Sequence, residues 1–252
     1  MFAIIATASA QAQSNKVIFT DDFTGSRVSG SAWYIPTWRG SNDGTFFGQT
    51  QVRCSQNATL PTCSNGQALI DIDSYNPTGF SFYGTDLISK QSFKPGSKGI
   101  ILTVRAKVSS SIPGGFVAGI YFYGLKSGGA HDEIDFELVS NTPKKINTNI
   151  YKDEPLGVGD PTSADLSKPI TDWHVYQIKW LPDEVIWLVD DQVIREEKTN
   201  VPKGPMPFNL NMWAPGSEWP LAYNSKIKAT YDVSANKTYS LIVDYVKIEQ
   251  IQ

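Results

Sequence analysis

The 252-residue chain is poor in the residues that mark several common classes of protein. It has two cysteines, Cys54 and Cys63, and two histidines, His131 and His174, at unrelated places in the chain, which argues against a zinc site built from these residue types. The net charge is -3 and no basic run is present. A nucleic-acid partner is therefore not expected, because phosphates need a positive surface.

Long apolar runs are also missing after the first 12 residues, so no membrane span of roughly 20 residues is predicted. The first 12 residues are apolar and end in small residues with A-x-A spacing, which is typical of the end of a secretory signal peptide, although the basic start is missing. The alternative is a frayed terminus. We expect a soluble, secreted, extracellular protein in which Cys54 and Cys63 form a local disulfide.

Helical periodicity is nearly absent, whereas alternation of apolar and polar residues is found throughout the chain. The 15 prolines and 20 glycines are scattered, so no linker is visible. Many short strands separated by turns predict an all-β sandwich or barrel. We expect a single domain over residues 13–252.

The most informative segment is HDEIDFEL, residues 131–138, which carries Glu133, Asp135 and Glu137 at every second position. Side chains two residues apart on a strand share a face, so the three carboxylates, which we call the acid row, point one way. Like charges this close raise each other's cost of ionisation. Two carboxyl groups about 5 Å apart suit retaining glycoside hydrolysis. The acid row could alternatively bind a hard cation or be a solvated face.

The run HDEIDFE, residues 131–137, resembles the signature of family sixteen glycoside hydrolases, the group of laminarinases, lichenases, agarases and xyloglucan endotransglycosylases. The resemblance covers the chain from about residue 17 to its end. Further similar segments are residues 146–151, 172–176, 187–191, 211–213, 218–219 and 243–247. The resemblance implies a concanavalin-like β-jelly-roll sandwich of two curved antiparallel sheets, with a substrate cleft on the concave face.

By this resemblance, Glu133 is the catalytic nucleophile, Glu137 is the acid and then the base, and Asp135 assists between them. The implied activity is hydrolysis of a β-glucan, mixed-linkage or β-1,3, at internal bonds and with retention of configuration. No cofactor is needed for catalysis, and a monomer is expected. The alternatives are a xyloglucan-type endotransglycosylase and a carbohydrate-binding sandwich without catalysis.

Substrate-binding residues are expected to be aromatic and polar, because sugar rings stack on aromatic faces and their hydroxyls need polar partners. The candidates are Arg105, Tyr121, Tyr123, His131, Asn149, Asn211, Trp213 and Trp219, with Trp38 and Arg39 as weaker ones. Trp213 could equally pack in the core, and the asparagines and Arg105 could equally satisfy backbone groups. Thr103 stands where lichenases usually have a Glu, although Arg105 keeps its basic partner.

Many members of the family hold a structural calcium ion. By the resemblance, Asp244 would supply the side-chain ligand, and Asp22 and Gly66 would supply backbone carbonyls. The alternative is that Asp244 is an ordinary surface residue.

Overall fold

Strands dominate the structure, a computed structural model that describes residues 14–35, 48–53, 61–77, 79, 81–155 and 159–252. The helical pieces within these ranges are two 3-10 turns, Ser127–Gly129 and Val233–Ala235. The strands are β1 (Lys16–Asp21), β2 (Trp33–Tyr34), β3 (Thr50–Val52), β4 (Thr62–Ser64), β5 (Gln67–Asp73), β6 (Phe82–Phe93), β7 (Ile100–Val108), β8 (Val117–Leu125), β9 (His131–Val139), β10 (Lys145–Glu154), β11 (Thr162–Asp165), β12 (His174–Trp180), β13 (Val185–Val189), β14 (Gln192–Glu197), β15 (Met206–Trp213) and β16 (Thr238–Gln250). The all-β prediction is confirmed. Within the described ranges, no helix has the length and apolar character needed to cross a membrane.

The strands form the two layers of a jelly-roll sandwich. The front sheet has the order β11-β10-β9-β8-β15-β6, and the back sheet has the order β5-β16-β7-β12-β13-β14. The two are connected where Asp73 of β5 pairs with Tyr83 of β6. Neighbouring strands in both orders are antiparallel, and the short β3 adds a parallel pairing to β6. Because β15 lies between β6 and β8, distant parts of the chain become neighbours in the front sheet.

Alternate residues of both sheets fill the core between them. In β9, Ile134, Phe136 and Leu138 are buried, and the Phe136 ring lies 5.4 Å from the ring of Tyr176 in the back sheet. Burial of one such large side chain contributes roughly 1.5–3 kcal/mol. The same alternation leaves the acid row on the outer face of the front sheet.

Two side chains of the β13–β14 hairpin hold the backbone of the strands at the acid row. The Trp187 indole Nε1 donates a hydrogen bond of 2.9 Å to the carbonyl oxygen of Asp135. Arg195 lies over the Trp187 ring and donates to the carbonyl oxygen of Thr148 in β10 at 3.2 Å. These contacts fix β9 and β10 from the core side, so the outer face is free to carry polar groups.

Candidate active site

Each member of the acid row faces one neighbour from β8 and one from β10. The paired residues are Tyr123 and Tyr151 beside Glu133, Tyr121 and Asn149 beside Asp135, and Gly119 and Asn147 beside Glu137. Directly opposed residues of antiparallel strands have their side chains on the same face. Gly119 leaves the β8 side of Glu137 without a side chain, and a Cβ there would lie only 2.5 Å from the Asn211 Oδ1 atom.

The outer members of the acid row reach solvent, whereas the central one does not. The side chain of Glu133 is 17% exposed and Glu137 is partly exposed, while Asp135 is 3% exposed. The backbone N–H of Asn149 donates to Asp135 Oδ1 at 2.6 Å, which fixes the central carboxyl group. The front sheet therefore presents two accessible acids on either side of a buried third.

Burial and mutual repulsion separate the protonation states of the acid row. Burial, and then the charge of Glu133, raise the pKa of Glu137 to about 8. Burial, followed by the charges of Glu137 and Glu133, raises the pKa of Asp135 well above its ordinary value. Burial also raises the pKa of Glu133, but His131 opposes that effect. The proton is therefore held more tightly at Glu137 than at Glu133.

His131 lies next to the acid row and is completely buried. Its Nε2 atom is 3.1 Å from Glu133 Oε2. The imidazole ring is flanked by Tyr123, with ring centroids 5.1 Å apart, and by Tyr151, at 4.4 Å. His131, Tyr123, Tyr121 and Asn149 thus meet at the acid row, as the sequence predicted, although their contact with a sugar stays a prediction.

Tyr151 is a site residue that the sequence analysis missed. Its hydroxyl accepts a hydrogen bond of 3.1 Å from the Asn149 side-chain amide. Burial, and then the charges of the three acids, raise the pKa of Tyr151 to about 12. Because Tyr151 is two residues after Asn149 in one strand, the alternation rule could have identified it.

Asp86 of β6 was also missed. Asn211 of β15 lies opposite both Asp86 of β6 and Gly119 of β8, and Gly119 lies opposite Glu137 of β9. Asp86 is therefore level with Glu137 across the front sheet and on the same face. It is 4% exposed, and burial raises its pKa to about 7 although the Tyr121 hydroxyl donates to Asp86 Oδ1 at 3.4 Å. The side-chain amide of Asn211 donates to the same hydroxyl at 3.1 Å. Asn211 therefore joins the floor of the site through Tyr121.

Trp213 and Trp219 form a pair beyond the Glu137 end of the acid row. Their rings stack with centroids 5.7 Å apart and an interplanar angle of 27°. Both are partly exposed and pack against Val117 and Val139, which follow on the same face of the front sheet. This is an aromatic surface of the kind that sugar rings use, and its role in binding stays a prediction.

Arg105 does not lie at this site, so the prediction that it contacts substrate in the cleft is wrong. It belongs to β7 of the back sheet and alternates with the buried Val104 and Ala106, so its side chain points away from the core. Its guanidinium group donates to Asp244 Oδ2 at 2.6 Å and lies over the Trp173 ring. The chain pattern identified a strand correctly but assigned it to the wrong sheet.

Two of the three predicted calcium ligands, Asp22 and Gly66, are close together, and the side chain of the third is paired with Arg105. A Cβ on Gly66 would lie 3.9 Å from the carbonyl oxygen of Asp22. However, the Asp244 carboxylate forms an ion pair with Arg105, and calcium needs six to eight oxygen ligands. The described residues contain no group of three or more His, Cys, Asp or Glu suited to a metal ion. Calcium binding by Asp22, Gly66 and Asp244 stays a sequence prediction.

Some predictions concern residues outside the described ranges. These are the signal peptide at residues 1–12, the weaker sugar contacts Trp38 and Arg39, and Cys54 of the disulfide. Cys63 is described in β4 as a free, buried thiol. The disulfide therefore stays a prediction.

The jelly-roll sandwich and the acid row together define a class of carbohydrate-active proteins. The family model of Glycosyl hydrolases family 16 matches residues 47–236, and the chain belongs to this family. The family resemblance of the sequence is thereby confirmed.

Relatives and a solved structure agree with this assignment. The chain is 28% identical over 190 residues to xyloglucan endotransglucosylase/hydrolase protein 3 of Arabidopsis thaliana, covering 72% of this chain and 60% of the relative. It is 26% identical over 219 residues to the beta-glucanase of Acetivibrio thermocellus, covering 82% and 59%. The chain thus spans about 60% of the length of these relatives. A prokaryotic beta-1,3-1,4-glucanase (lichenase) from a mouse hindgut metagenome superposes with a TM-score of 0.71 at 21% identity, covering 93% of this chain and 99% of that one, which shows the fold.

Proposed function

We propose that the protein is a retaining glycoside hydrolase that cleaves a β-glucan at internal bonds. The observation that carries the proposal is the electrostatic asymmetry of the acid row. Among the ion pairs of the described residues, none joins a Lys or Arg to Glu133, Asp135 or Glu137. Burial and the charge of Glu133 raise the pKa of Glu137, whereas His131 opposes the effect of burial on the pKa of Glu133, so the two outer acids differ as the two steps of the reaction require.

In the first step, the ionised carboxylate of Glu133 attacks the anomeric carbon and forms a covalent ester. The bond between that carbon and the glycosidic oxygen breaks, and its electron pair stays on the oxygen. Glu137 gives its proton to this oxygen, so the leaving chain departs as a neutral alcohol. The raised pKa of Glu137, about 8, keeps that proton in place near neutral pH.

In the second step, Glu137 acts as a base. Once Glu133 is an ester, it no longer carries the charge that raises the pKa of Glu137, so that pKa falls and the carboxylate form persists. Glu137 removes a proton from water, the water oxygen attacks the anomeric carbon, and Glu133 leaves as a carboxylate. Two inversions give net retention. Asp135, whose pKa is raised well above its ordinary value and whose Oδ1 accepts the Asn149 N–H, lies between the two acids.

The substrate class rests on the floor of the site and on the relatives. Sugar rings can stack on the Trp213–Trp219 pair, and hydroxyls can bond with the amide and tyrosine groups around Asp135. A mixed-linkage or β-1,3-glucan is supported by the relatives named beta-glucanase and lichenase. Since such polysaccharides are extracellular, we also propose that the protein is secreted. We further propose that it acts as a monomer, because one strand of one chain carries the whole acid row.

A second candidate is transfer to a sugar acceptor rather than to water. It is supported by the Arabidopsis relative, whose name includes endotransglucosylase. Transfer uses the same covalent intermediate and the same three acids.

The test is a product analysis on lichenan, laminarin and xyloglucan, each with and without an acceptor oligosaccharide. Proton NMR during the first minutes should show the β-anomer of the new reducing end, and chromatography should show oligosaccharides of several lengths. Longer products that appear only with acceptor would favour the second candidate. Initial formation of the α-anomer would contradict retention, and binding without any cleavage would indicate a carbohydrate-binding protein.

A further inference from the structure

The two ring nitrogens of His131 have different surroundings. Nε2 faces Glu133 Oε2 at 3.1 Å. Nδ1 is buried and has no hydrogen-bond partner among the described residues. A neutral imidazole has one N–H donor and one bare nitrogen. Since a buried N–H without an acceptor is rarer than an unused acceptor, the proton belongs on Nε2 and the bare nitrogen is Nδ1.

The groups around the ring favour this arrangement. Tyr123 of β8 and Tyr151 of β10 lie against the imidazole at ring distances of 5.1 and 4.4 Å and restrict its rotation. Glu154 of β10 is the cross-strand partner of His131, but its buried Oε2 makes no hydrogen bond either. A doubly protonated ring would place a second N–H where no acceptor is bonded. Glu133 is then the acid that receives a hydrogen bond from the ring.

We propose that His131 is a positioning residue that holds the nucleophile Glu133 as a neutral N–H donor from Nε2. The inference rests on the proposed role of Glu133. The bond to Oε2 favours the ionised carboxylate without placing a full positive charge beside it, and it leaves Oε1 to attack the anomeric carbon. After attack, Oε2 becomes the carbonyl oxygen of the ester and keeps the same donor. His131 itself transfers no proton and forms no covalent bond.

Substitution tests the donor. His131→Leu removes the N–H, while His131→Gln can return one at a similar reach. On whichever of lichenan, laminarin and xyloglucan the wild type cleaves, His131→Leu should lower kcat/KM by about 10- to 100-fold, the loss of one hydrogen bond to a charged group. The acid limb of its pH profile should move to higher pH, because an unassisted Glu133 keeps its proton longer. His131→Gln should restore most of both properties.

His174→Gln is the matched control. His174 is also buried, but both nitrogens have partners, Asp190 at 2.7 Å and the carbonyl oxygen of Pro169 at 3.2 Å, and neither is at the acid row. This variant should lose stability and leave the acid limb in place. An acid limb that stays at the wild-type pH in folded His131→Leu would overturn the proposal.

A measurement on the wild-type protein does not depend on any variant of His131 being folded. The chain has two histidines, so nitrogen NMR of ¹⁵N-histidine-labelled protein gives two ring systems, and His174→Gln identifies which is which. At pH 7, His131 should be the neutral tautomer with the proton on Nε2. A proton on Nδ1, or on both nitrogens, would overturn the inference.

Failure of this inference can be told apart from failure of the proposed function. If Glu133→Gln keeps wild-type activity, the proposed nucleophile is wrong, whatever His131 does. If Glu133→Gln is inactive and His131→Leu behaves like the wild type, only the role of His131 is wrong.

Discussion

The outer faces of the two sheets carry acidic residues in different ways. On the back sheet, Asp244 pairs with Arg105 at 2.6 Å, and Glu249 pairs with Lys247 at 2.9 Å. On the front sheet, the three members of the acid row lie side by side without a Lys or Arg partner in the described structure. The residue types are the same, but only the acids named on the back sheet have a cationic partner.

The difference separates acids that stabilise the folded state from acids that destabilise it. A partly exposed ion pair such as Arg105–Asp244 is worth little more than about 1 kcal/mol. Buried acids without a cation destabilise the folded state instead, and they take up protons to reduce the repulsion. Such an arrangement is typical of a functional site, where stability is lower than it could be.

The largest expected effect comes from the ionised member of the acid row. Glu133→Gln should lower kcat on the cleaved glucan by on the order of 10⁴-fold, because the amide cannot form the covalent ester. Asp244→Asn, on the back sheet, is the matched control and should change kcat less than about twofold. Steady-state kinetics measures kcat of both variants, and circular dichroism checks that both are folded. Equal losses of kcat in the two variants would show that the acids of the two faces do not differ in function.

A somewhat smaller loss is expected at the protonated member. Glu137→Gln should lower kcat on polysaccharide by about 10²- to 10⁴-fold, because the leaving oxygen no longer receives a proton. Activity on an aryl glycoside with a good leaving group should fall much less, since that group departs without protonation. In the wild type, kcat/KM should decline as the pH rises through about 8, where Glu137 loses its proton. The variant should lack this decline, and its persistence would reassign the acid.

Binding on the front face should show effects of about one order of magnitude. Trp219→Ala should raise KM about fivefold to tenfold with a smaller change in kcat, since one aromatic contact contributes roughly 0.5–1.5 kcal/mol beyond its buried area. Trp173→Ala removes the tryptophan that lies under Arg105 on the back sheet, and it should leave KM unchanged. If Trp173→Ala also raises KM, the substrate contacts both faces.

The smallest expected effect is on stability, and its sign follows from linkage. The folded pKa of Glu137, about 8, lies above the ordinary value of 4.5, so the folded protein binds this proton more tightly than the unfolded chain does. Its contribution to stability is fully present below pH 4.5 and is lost as the pH rises through about 8. At pH 8.5, Glu137→Gln should therefore melt above the wild type by about 2–4 °C, the shift that 1 kcal/mol gives in a protein of this size.

Differential scanning calorimetry of both proteins at pH 4.5 and pH 8.5 measures this effect. The higher melting temperature of Glu137→Gln should be absent or reversed at pH 4.5. A difference in melting temperature that is the same at both pH values would show that the pKa of Glu137 is not raised in the folded protein.

The sequence predicted the features that depend on local alternation. The faces of β9 follow from Ile134 and Phe136 between the acids, and Tyr121 and Tyr123 lie at the acid row because their strand directly precedes β9 and pairs with it. Strands that follow one another in the chain are often neighbours in a sheet, so the pairing of β8 with β9 could be expected.

The sequence did not predict what depends on the order of distant strands. Asp86 joins the site because β15, over a hundred residues later in the chain, lies between β6 and β8. The strand that contains Arg105 alternates between apolar and polar residues as a cleft strand would, but it pairs with β12 and β16 in the back sheet. Period-two alternation identifies a face of a strand and carries no information about which sheet the strand joins.

The central claim is that Glu133 is the nucleophile of the acid row, and covalent trapping tests it most directly. A 2-deoxy-2-fluoro β-glucan oligosaccharide with an activated leaving group slows the second step more than the first, so the ester should accumulate. Intact mass spectrometry should show one added glycosyl group, and peptide mapping should place it on Glu133. A label on Glu137 or Asp135, or no label on an enzyme that turns over the matching glucan, would contradict the account.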